Sequence, residues 1–234
     1  MTEKLFAKDA YLKEADGTVI GHTAQGGIIL DRALFYPTGG GQTGDSGTLG
    51  DIEIVATIKG ENGAIVLVPA EGSTLPEIGR VLRQSLNWEN RHRMMRLHTG
   101  LHLLSVVVPL PVTGGQIRAE KARLDFAMPE PLDNKQAVED ALNALVAADL
   151  PITEQWISEA ELDANPGLVK TMTVQPPRGA GHIRLVRIGR DEQIDLQPCG
   201  GTHVRSTAEI GEMRLGKMEK KGRINRRLNV FLAG

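Results

Sequence analysis

The chain has 234 residues, a formal net charge of −2 and a single cysteine. This length permits one large domain or two small ones, while the lone cysteine excludes an internal disulfide framework and fits a reducing cytoplasm. The charge argues against non-specific coating of nucleic acid, an aromatic content of 3% disfavours a base-stacking platform, and no apolar run approaches a membrane span.

Residues 1–88 are predicted to form a small β-barrel. Runs of β-branched residues interrupted by glycine predict four strands. These strands cover residues 17–21, 27–31, 52–58 and 64–68. The last two flank Asn62-Gly63, and Asn-Gly is the strongest short-range signal for a hairpin turn. Three consecutive glycines within residues 35–45 predict a loop there.

Residues 89–234 are predicted to form an α+β domain. Apolar periodicity predicts a buried helix over 90–108 and a second helix over 133–149, and the capping-box spacing of Ser158 and Glu161 predicts a third. The predicted strands cover residues 183–188, 193–197 and 228–232. The expected fold class is therefore α+β, a small barrel followed by a two-layer α/β domain whose long helix packs on a mostly antiparallel sheet.

Two short segments carry a complete set of metal ligands. His98 and His102 are four residues apart on the first helix, so their imidazoles project from one face. The segment Cys199-Gly-Gly-Thr-His203 brings a thiol and a third imidazole, and its paired glycines predict a tight turn. Each pair alone is a weak signal, but together the side chains make the His/His/Cys/His set that tetrahedral Zn²⁺ accepts.

The ligand count leaves a structural and a catalytic zinc open. Four protein ligands close a tetrahedron, whereas a catalytic zinc keeps a position for water. Water would then enter as a fifth ligand or displace a weak one such as Cys199. Thr99 stands where zinc peptidases carry a glutamate base, which disfavours a peptidase. Asp195 and Glu209 are the nearest carboxylates in sequence, and we interpret both as surface charges.

Three segments resemble the AlaX family, the free-standing relatives of the editing domain of alanyl-tRNA synthetase. They are Phe35-Tyr-Pro-Thr-Gly-Gly-Gly-Gln-Thr-Gly-Asp45, Arg96-Leu-His-Thr-Gly-Leu-His-Leu-Leu104, and Cys199-Gly-Gly-Thr-His-Val204 followed by Glu209-Ile-Gly211. The resemblance is to the longer, two-domain members. It implies a glycine-rich barrel, an editing domain with zinc among the four ligands, and hydrolysis of serine or glycine from the 3′ end of alanine tRNA. The implied partner is this acceptor end, with no DNA or membrane.

Selectivity requires recognition of one hydroxyl group, because serine exceeds alanine by that group alone. An apolar pocket rejects such an isostere poorly, so an editing pocket must hydrogen-bond the hydroxyl. The candidate polar groups are Thr99, Gln42, Thr202 and Gln116. By the resemblance, Gln42 lies with Gly40 and Gly41 at the mouth of the active site. Gln116 is expected where a pocket-lining strand begins.

Residues 214–227 are the best candidate for contact with RNA, because they hold seven basic residues and one acid. The expected contacts are Arg214, Lys217, Lys220, Lys221 and Arg223, with Arg91, Arg93 and Arg96 as possible additions to the patch. Two alternatives stay open. A non-catalytic tRNA-binding module would use zinc only to hold its fold, and a zinc hydrolase of small esters would not need the basic segment.

Overall fold

The computed structural model describes residues 2–172 and 181–233. The chain divides into two compact units, Met1–His92 and Arg93–Gly234, and a long helix runs across that division. Within the described ranges every helix is too short or too polar to span a membrane. A barrel, further antiparallel sheets and few helices confirm the predicted α+β fold class.

The first unit is built mainly from short strands. In chain order its elements are β1 (Glu3–Lys4), α1 (Leu5–Lys8), β2 (Glu14–His22), β3 (Ile28–Leu30), β4 (Arg32–Ala33), β5 (Gly47–Leu49), β6 (Ile52–Lys59), a 3₁₀ turn (Glu61–Gly63), β7 (Ile65–Pro69) and β8 (Val81–Leu86). Strands β2, β3, β7, β6, β5 and β8 pair in that order and close a barrel. Its core is filled by Val19, Ile28, Leu30, Leu34, Phe35, Leu49, Ile54 and Leu67.

The predicted hairpin is confirmed between β6 and β7, which pair antiparallel. Asn62 and Gly63 have φ angles of 51° and 74°, the left-handed values that this turn requires. The predicted loop over residues 35–45 is also confirmed, since no helix or strand lies within it. Strands β5 and β8 were not predicted because neither is a continuous apolar run.

The glycine-rich loop is shaped by backbone hydrogen bonds and one buried ion pair. Gly40 and Gly41 have φ angles of 59° and 86°, and Gly39 and Gln42 exchange two backbone hydrogen bonds of 3.0 Å across them. Asp45 ends the loop and forms an ion pair with Arg91, whose side chain is fully buried. The prediction that Arg91 adds to an exposed RNA-binding patch is therefore wrong.

The second unit contains the remaining sheets and helices. Together with the long helix its elements are α2 (Trp88–Val107), β9 (Val112–Ile117), β10 (Ala122–Ala127), α3 (Lys135–Ala147), β11 (Ile152–Ser158), α4 (Glu159–Ala164), a 3₁₀ turn (Pro166–Leu168), β12 (His182–Ile188), β13 (Asp195–Pro198), a 3₁₀ turn (Thr207–Ile210), β14 (Met213–Leu215), β15 (Glu219–Lys220) and β16 (Asn225–Leu232).

Two antiparallel sheets organise this unit. One has the strand order β14-β16-β10-β9, with β15 added beside β16, and the other has the order β11-β12-β13. Helix α2 approaches β14 closely at Gly100, where an added Cβ would lie 2.4 Å from Met213 Cε. The side chain of Ser158 caps α4 in the predicted capping box. The predicted helices over 90–108 and 133–149 correspond to α2 and α3, whereas β9, β10 and β11 were not predicted.

Candidate metal centre

The two ligand segments converge on one point in the second unit. Helix α2 supplies His98 and His102, and the turn that follows β13 supplies Cys199 and His203. One ligand atom from each of these side chains lies within 4.8 Å of all the others. Cys199 Sγ is 3.4 Å from His98 Nε2 and 3.2 Å from His203 Nε2. The four side chains form a group that could hold a metal ion.

The spacing of these atoms suits a small tetrahedral cation. With Zn–N of about 2.0–2.1 Å and Zn–S of about 2.3 Å, the edges of a zinc tetrahedron are about 3.3–3.6 Å long. The two distances from Cys199 Sγ, 3.4 and 3.2 Å, are close to that range. A set of three imidazoles and one thiol also matches zinc in chemical softness.

A buried carboxylate orients one of the imidazoles. His102 Nδ1 lies 3.0 Å from Asp195 Oδ2, so its Nε2 is the ring nitrogen that could bind a metal ion. Asp195 also accepts hydrogen bonds from Lys170 Nζ at 2.5 Å and from Gln197 Nε2 at 2.8 Å. Such a carboxylate fixes the tautomer and the ring orientation of a metal-binding histidine. Asp195 is only 2% exposed, so its interpretation as a surface charge is wrong.

A buried hydroxyl orients a second imidazole. Thr99 Oγ1 lies 3.1 Å from His203 Nδ1, donates to Met95 O at 3.0 Å and accepts from Val204 N at 3.3 Å. A hydroxyl has one proton to donate, and Met95 takes it. His203 Nδ1 must therefore donate to Thr99, which leaves Nε2 of His203 unprotonated and able to bind a metal.

The turn that carries Cys199 and His203 is held by a guanidinium group. Arg184 Nη1 donates to Cys199 O at 2.9 Å and to Gly201 O at 2.8 Å. The predicted tight turn is confirmed, but its cause is not a left-handed glycine at the first position. Gly200 has no positive φ angle, and an added Cβ there would meet no described atom within 4 Å.

Burial and mutual contact shift the protonation of the ligand group. Burial raises the pKa of the Cys199 thiol, but the charges of His98 and His203 outweigh it and hold that pKa well below its usual value. Burial and His98 hold the pKa of His203 well below its usual value. Burial lowers the pKa of His102, whereas its hydrogen bonds to Asp195 and Cys199 contribute to a net rise to about 9, so a metal ion must displace the proton from its Nε2. The site thus favours a thiolate, the form of cysteine that binds metals.

The selectivity candidates have different surroundings. Thr202 is buried in the turn beside His203, and Thr99 is fully buried in the contacts described above. Gln42 is fully buried in the glycine-rich loop of the first unit, where Gly40 and Gly41 precede it. Gln116 is the fifth residue of β9 and does not begin that strand, so this part of the prediction is wrong.

The basic segment 214–227 is partly neutralised by internal contacts. Lys221 pairs with Glu219 at 2.7 Å, and Arg214 lies 3.6 Å from Glu212. Lys217, Lys220 and Arg223 are exposed and form no ion pair with any described residue. Those three side chains are therefore the best placed of the predicted contacts for binding an anion.

Comparison with known proteins identifies the family. Residues 183–229 match the model for the threonyl and alanyl tRNA synthetase second additional domain. The alanyl-tRNA editing protein AlaX-M of Saccharolobus solfataricus is 34% identical over 97% of this chain and 98% of its own length. AlaX-M of Pyrococcus horikoshii is 33% identical over 99% and 98%. The chain belongs to the AlaX family.

The chain is also similar to part of a longer protein, an alanine–tRNA ligase. Alanine–tRNA ligase of Pyrobaculum neutrophilum is 33% identical over 94% of this chain, which spans only 25% of the ligase. The similarity to AlaX-M covers both units, including the glycine-rich loop and the ligand cluster. The resemblance inferred from the three sequence segments is therefore confirmed.

The contacts that sequence reasoning missed are those that orient the ligands. Asp195 and Gln197 precede Cys199 at intervals of two residues along β13 and its end. Alternate residues of a strand share a face, so this spacing was the available signal for a carboxylate near the thiol. Glu209 instead caps a short 3₁₀ turn, where it accepts from the backbone nitrogens of Arg205 and Ser206. Nothing in the sequence near Arg184 indicated that its side chain would bind the backbone of the turn at Cys199 and Gly201.

Proposed function

We propose that this chain is a zinc-dependent hydrolase that acts in trans to remove serine, and also glycine, from mischarged alanine tRNA. Family membership makes it an enzyme of the alanyl-tRNA editing class. The observation that carries the zinc assignment is the convergence of His98, His102, Cys199 and His203 within 4.8 Å. The proposed domains are a barrel over residues 1–88 and an editing domain over 89–234.

The side chains around the cluster support a pre-organised metal site. Asp195 and Thr99 hold His102 and His203 in the tautomers that leave Nε2 for the metal. A bound zinc would lower the pKa of a water towards about 7 and polarise the ester carbonyl. We place this chemistry in the cytoplasm, because a single cysteine without a disulfide partner fits a reducing compartment.

Hydrolysis needs little further acid–base chemistry from the protein. Water adds to the ester carbonyl carbon, the bond to the ribose oxygen breaks, and that oxygen takes a proton as free serine leaves. Asp195 is already bound to His102 and Lys170, and Glu209 caps a turn. We therefore assign assistance in proton transfer to the substrate itself, through the ribose hydroxyl next to the ester.

Recognition of the serine hydroxyl is assigned to the remaining polar candidates. Thr99 has its donor and acceptors engaged by Met95, His203 and Val204, so it acts on the substrate only through the metal ligands. Thr202 lies directly before His203 in the ligand turn and is the hydroxyl we favour. Gln42, Gly40 and Gly41 are assigned to the substrate because the family's glycine-rich loop carries them. Gln116 has different neighbours, because it pairs with Arg123 of β10 and its side chain accepts from Arg123 Nε at 3.3 Å.

The alternative is a tRNA-binding module in which zinc only holds the fold. Four protein ligands in mutual contact are compatible with a closed structural site. The two functions differ in what metal loss does. A structural zinc predicts unfolding, whereas a catalytic zinc predicts loss of hydrolysis in a chain that stays folded.

The test is serine release from Ser-tRNA(Ala), measured beside Ala-tRNA(Ala). The variant His98→Ala/His102→Ala removes two ligands, and His182→Ala is the matched control because His182 is exposed and lies outside the cluster. We expect rapid loss of serine, retention of alanine, background rates for a double variant shown to be folded, and normal rates for the control. Background hydrolysis by the wild-type protein would refute the enzymatic function for this substrate.

A further inference from the structure

A second concave site lies on the larger sheet of the second unit. It is a cavity of about 300 Å³ between strands β9, β10, β15 and β16. The side chains that give it its character are Gln116, Arg118, Lys121, Arg123, Glu219 and Arg227. None of the four candidate zinc ligands lines it. It is therefore separate from the metal centre, and its charge suggests a different ligand.

The alternation of β10 explains why this face of the sheet is polar. Ala122, Leu124 and Phe126 are buried on one face, so Arg123 and Asp125 project from the other. The register sets Arg123 between Gln116 of β9 and Asn229 of β16. It sets Asp125 beside Arg227 of β16 in the same way. Side chains from three strands thus meet in two polar rows.

The cavity has an excess of positive charge. Asp125 is shared by two guanidinium groups, at 2.7 Å from Arg123 Nη1 and at 2.7 Å from Arg227 Nε. One carboxylate neutralises only one of them. Glu219 pairs with Lys221 at 2.7 Å, and Lys221 does not line the cavity.

Two further cations come from the turn between β9 and β10. Arg118 and Lys121 are exposed and form no ion pair with any described residue. Arg118 N donates to Lys121 O at 3.0 Å, so the tight turn fixes both at one rim. Arg93 supports the turn from helix α2, since its Nε donates to Ala119 O at 3.0 Å. Their charges add to the uncompensated one beside Asp125.

We propose that this cavity binds a backbone phosphate of the tRNA, an inference that rests on the proposed function. Guanidinium forks match phosphate oxygens in pairs, and lysine adds a point charge. The amide of Gln116 provides a neutral donor of the kind that contacts phosphate and sugar, whereas the amide of Asn229 donates to Glu219 Oε1 at 2.7 Å. Arg227 belongs both to the cavity and to the basic segment 214–227, so the cavity gives that exposed segment a defined concave end.

The experiment is the binding of labelled, uncharged tRNA(Ala) followed by fluorescence anisotropy over a range of KCl concentrations. The test variant is Arg118→Gln/Lys121→Gln, and the matched control is Arg80→Gln/Arg190→Gln, which removes two exposed charges elsewhere. Melting temperature and zinc content should stay unchanged in both. We expect the test variant to bind about tenfold more weakly at 0.1 M KCl, with a slope of log affinity against log salt reduced by about 0.7–0.9, the value for one lost phosphate contact.

Three results would overturn the proposal. Equal weakening by both variants would mean that only net charge matters. Unchanged slope would mean that no phosphate contact was lost. The third result has two parts. The test variant would bind tRNA as tightly as the wild type does, and inorganic phosphate at constant ionic strength would displace tRNA from neither the wild type nor the test variant. This result would mean that the cavity holds no RNA phosphate. Because no ester is needed, failure of serine release by the wild-type protein would refute the proposed function while this binding result stood by itself.

Discussion

The buried ion pair of the first unit and the ligand cluster of the second unit both place polar groups away from water. Only in the ion pair are the charges balanced by partners within the protein. Arg91 donates to Asp45, to Ala10 O at 2.9 Å and to Leu34 O at 3.0 Å. The cluster instead brings three imidazoles and a thiol together, with Asp195 and Thr99 on the outer nitrogens of two rings.

The difference separates a structural arrangement from a functional one. A buried ion pair whose hydrogen bonds are all made within the protein holds a loop in place and needs no ligand. Electron-pair donors that face one another need a proton or a metal cation between them. The same degree of burial therefore has opposite meanings at Arg91 and at His203, and the partners of each group decide which applies.

Removing a ligand should have the largest effect on activity. For Cys199→Ala we expect serine release to fall by about a thousandfold, because the thiolate is part of the metal's coordination. Zinc content by elemental analysis should fall below one ion per chain. The barrel should be unaffected, so a normal rate together with normal zinc content would contradict the assignment of Cys199 as a ligand.

Breaking the ion pair of the first unit should instead affect stability. Arg91→Met leaves Asp45 buried without its partner, and such a loss costs about 3–5 kcal/mol of unfolding free energy. Urea denaturation measures this cost, and zinc content should not change. The double variant Arg91→Met/Asp45→Leu should recover part of the loss. A single variant as stable as the wild type would show that the pair does not hold the loop.

Sequence reasoning found the four side chains of the cluster but not the groups that distinguish these two arrangements. The spacing of His98 and His102 fixes a shared helix face, and the family motif brought Cys199 and His203 to the same site. The sequence predicts that Arg91 belongs to an RNA-binding patch. This prediction is wrong because the partner of Arg91, Asp45, is 46 residues away and could not be recognised from the sequence. No local pattern reports such a distant partner. The alternation of buried and less buried residues in β10, in contrast, was present in the sequence and could have predicted that strand.

A carboxylate that orients a ligand should have an intermediate effect. Asp195→Asn keeps the shape of the side chain but removes its charge, so we expect metal affinity to fall by about 10–100-fold. Competition with a fluorescent zinc chelator measures it. Asp191→Asn is the control, because Asp191 is exposed in the loop before β13. Equal affinities for the two variants would contradict a role for Asp195 in the metal centre.

Loss of the Thr99 hydroxyl should have the smallest effect on metal affinity. It also distinguishes a role in hydrogen bonding from a role in packing. Thr99→Ser retains the hydrogen bond to His203, whereas Thr99→Val removes it at nearly constant volume. We expect about tenfold weaker metal binding for the valine variant and wild-type binding for the serine variant. The visible spectrum of the cobalt-substituted protein reports the ligand geometry. Similar loss in both variants would point to packing instead of hydrogen bonding.

The central claim is that one zinc ion in this cluster enables hydrolysis of the mischarged ester. The most direct measurement is the rate of serine release from Ser-tRNA(Ala) by metal-depleted protein to which zinc is returned in small steps, with circular dichroism recorded at each step. We predict a folded, inactive chain whose activity rises in proportion to zinc and reaches its plateau at one ion per chain. Activity that is independent of zinc, or a folded and zinc-loaded chain that releases no serine, would contradict the claim.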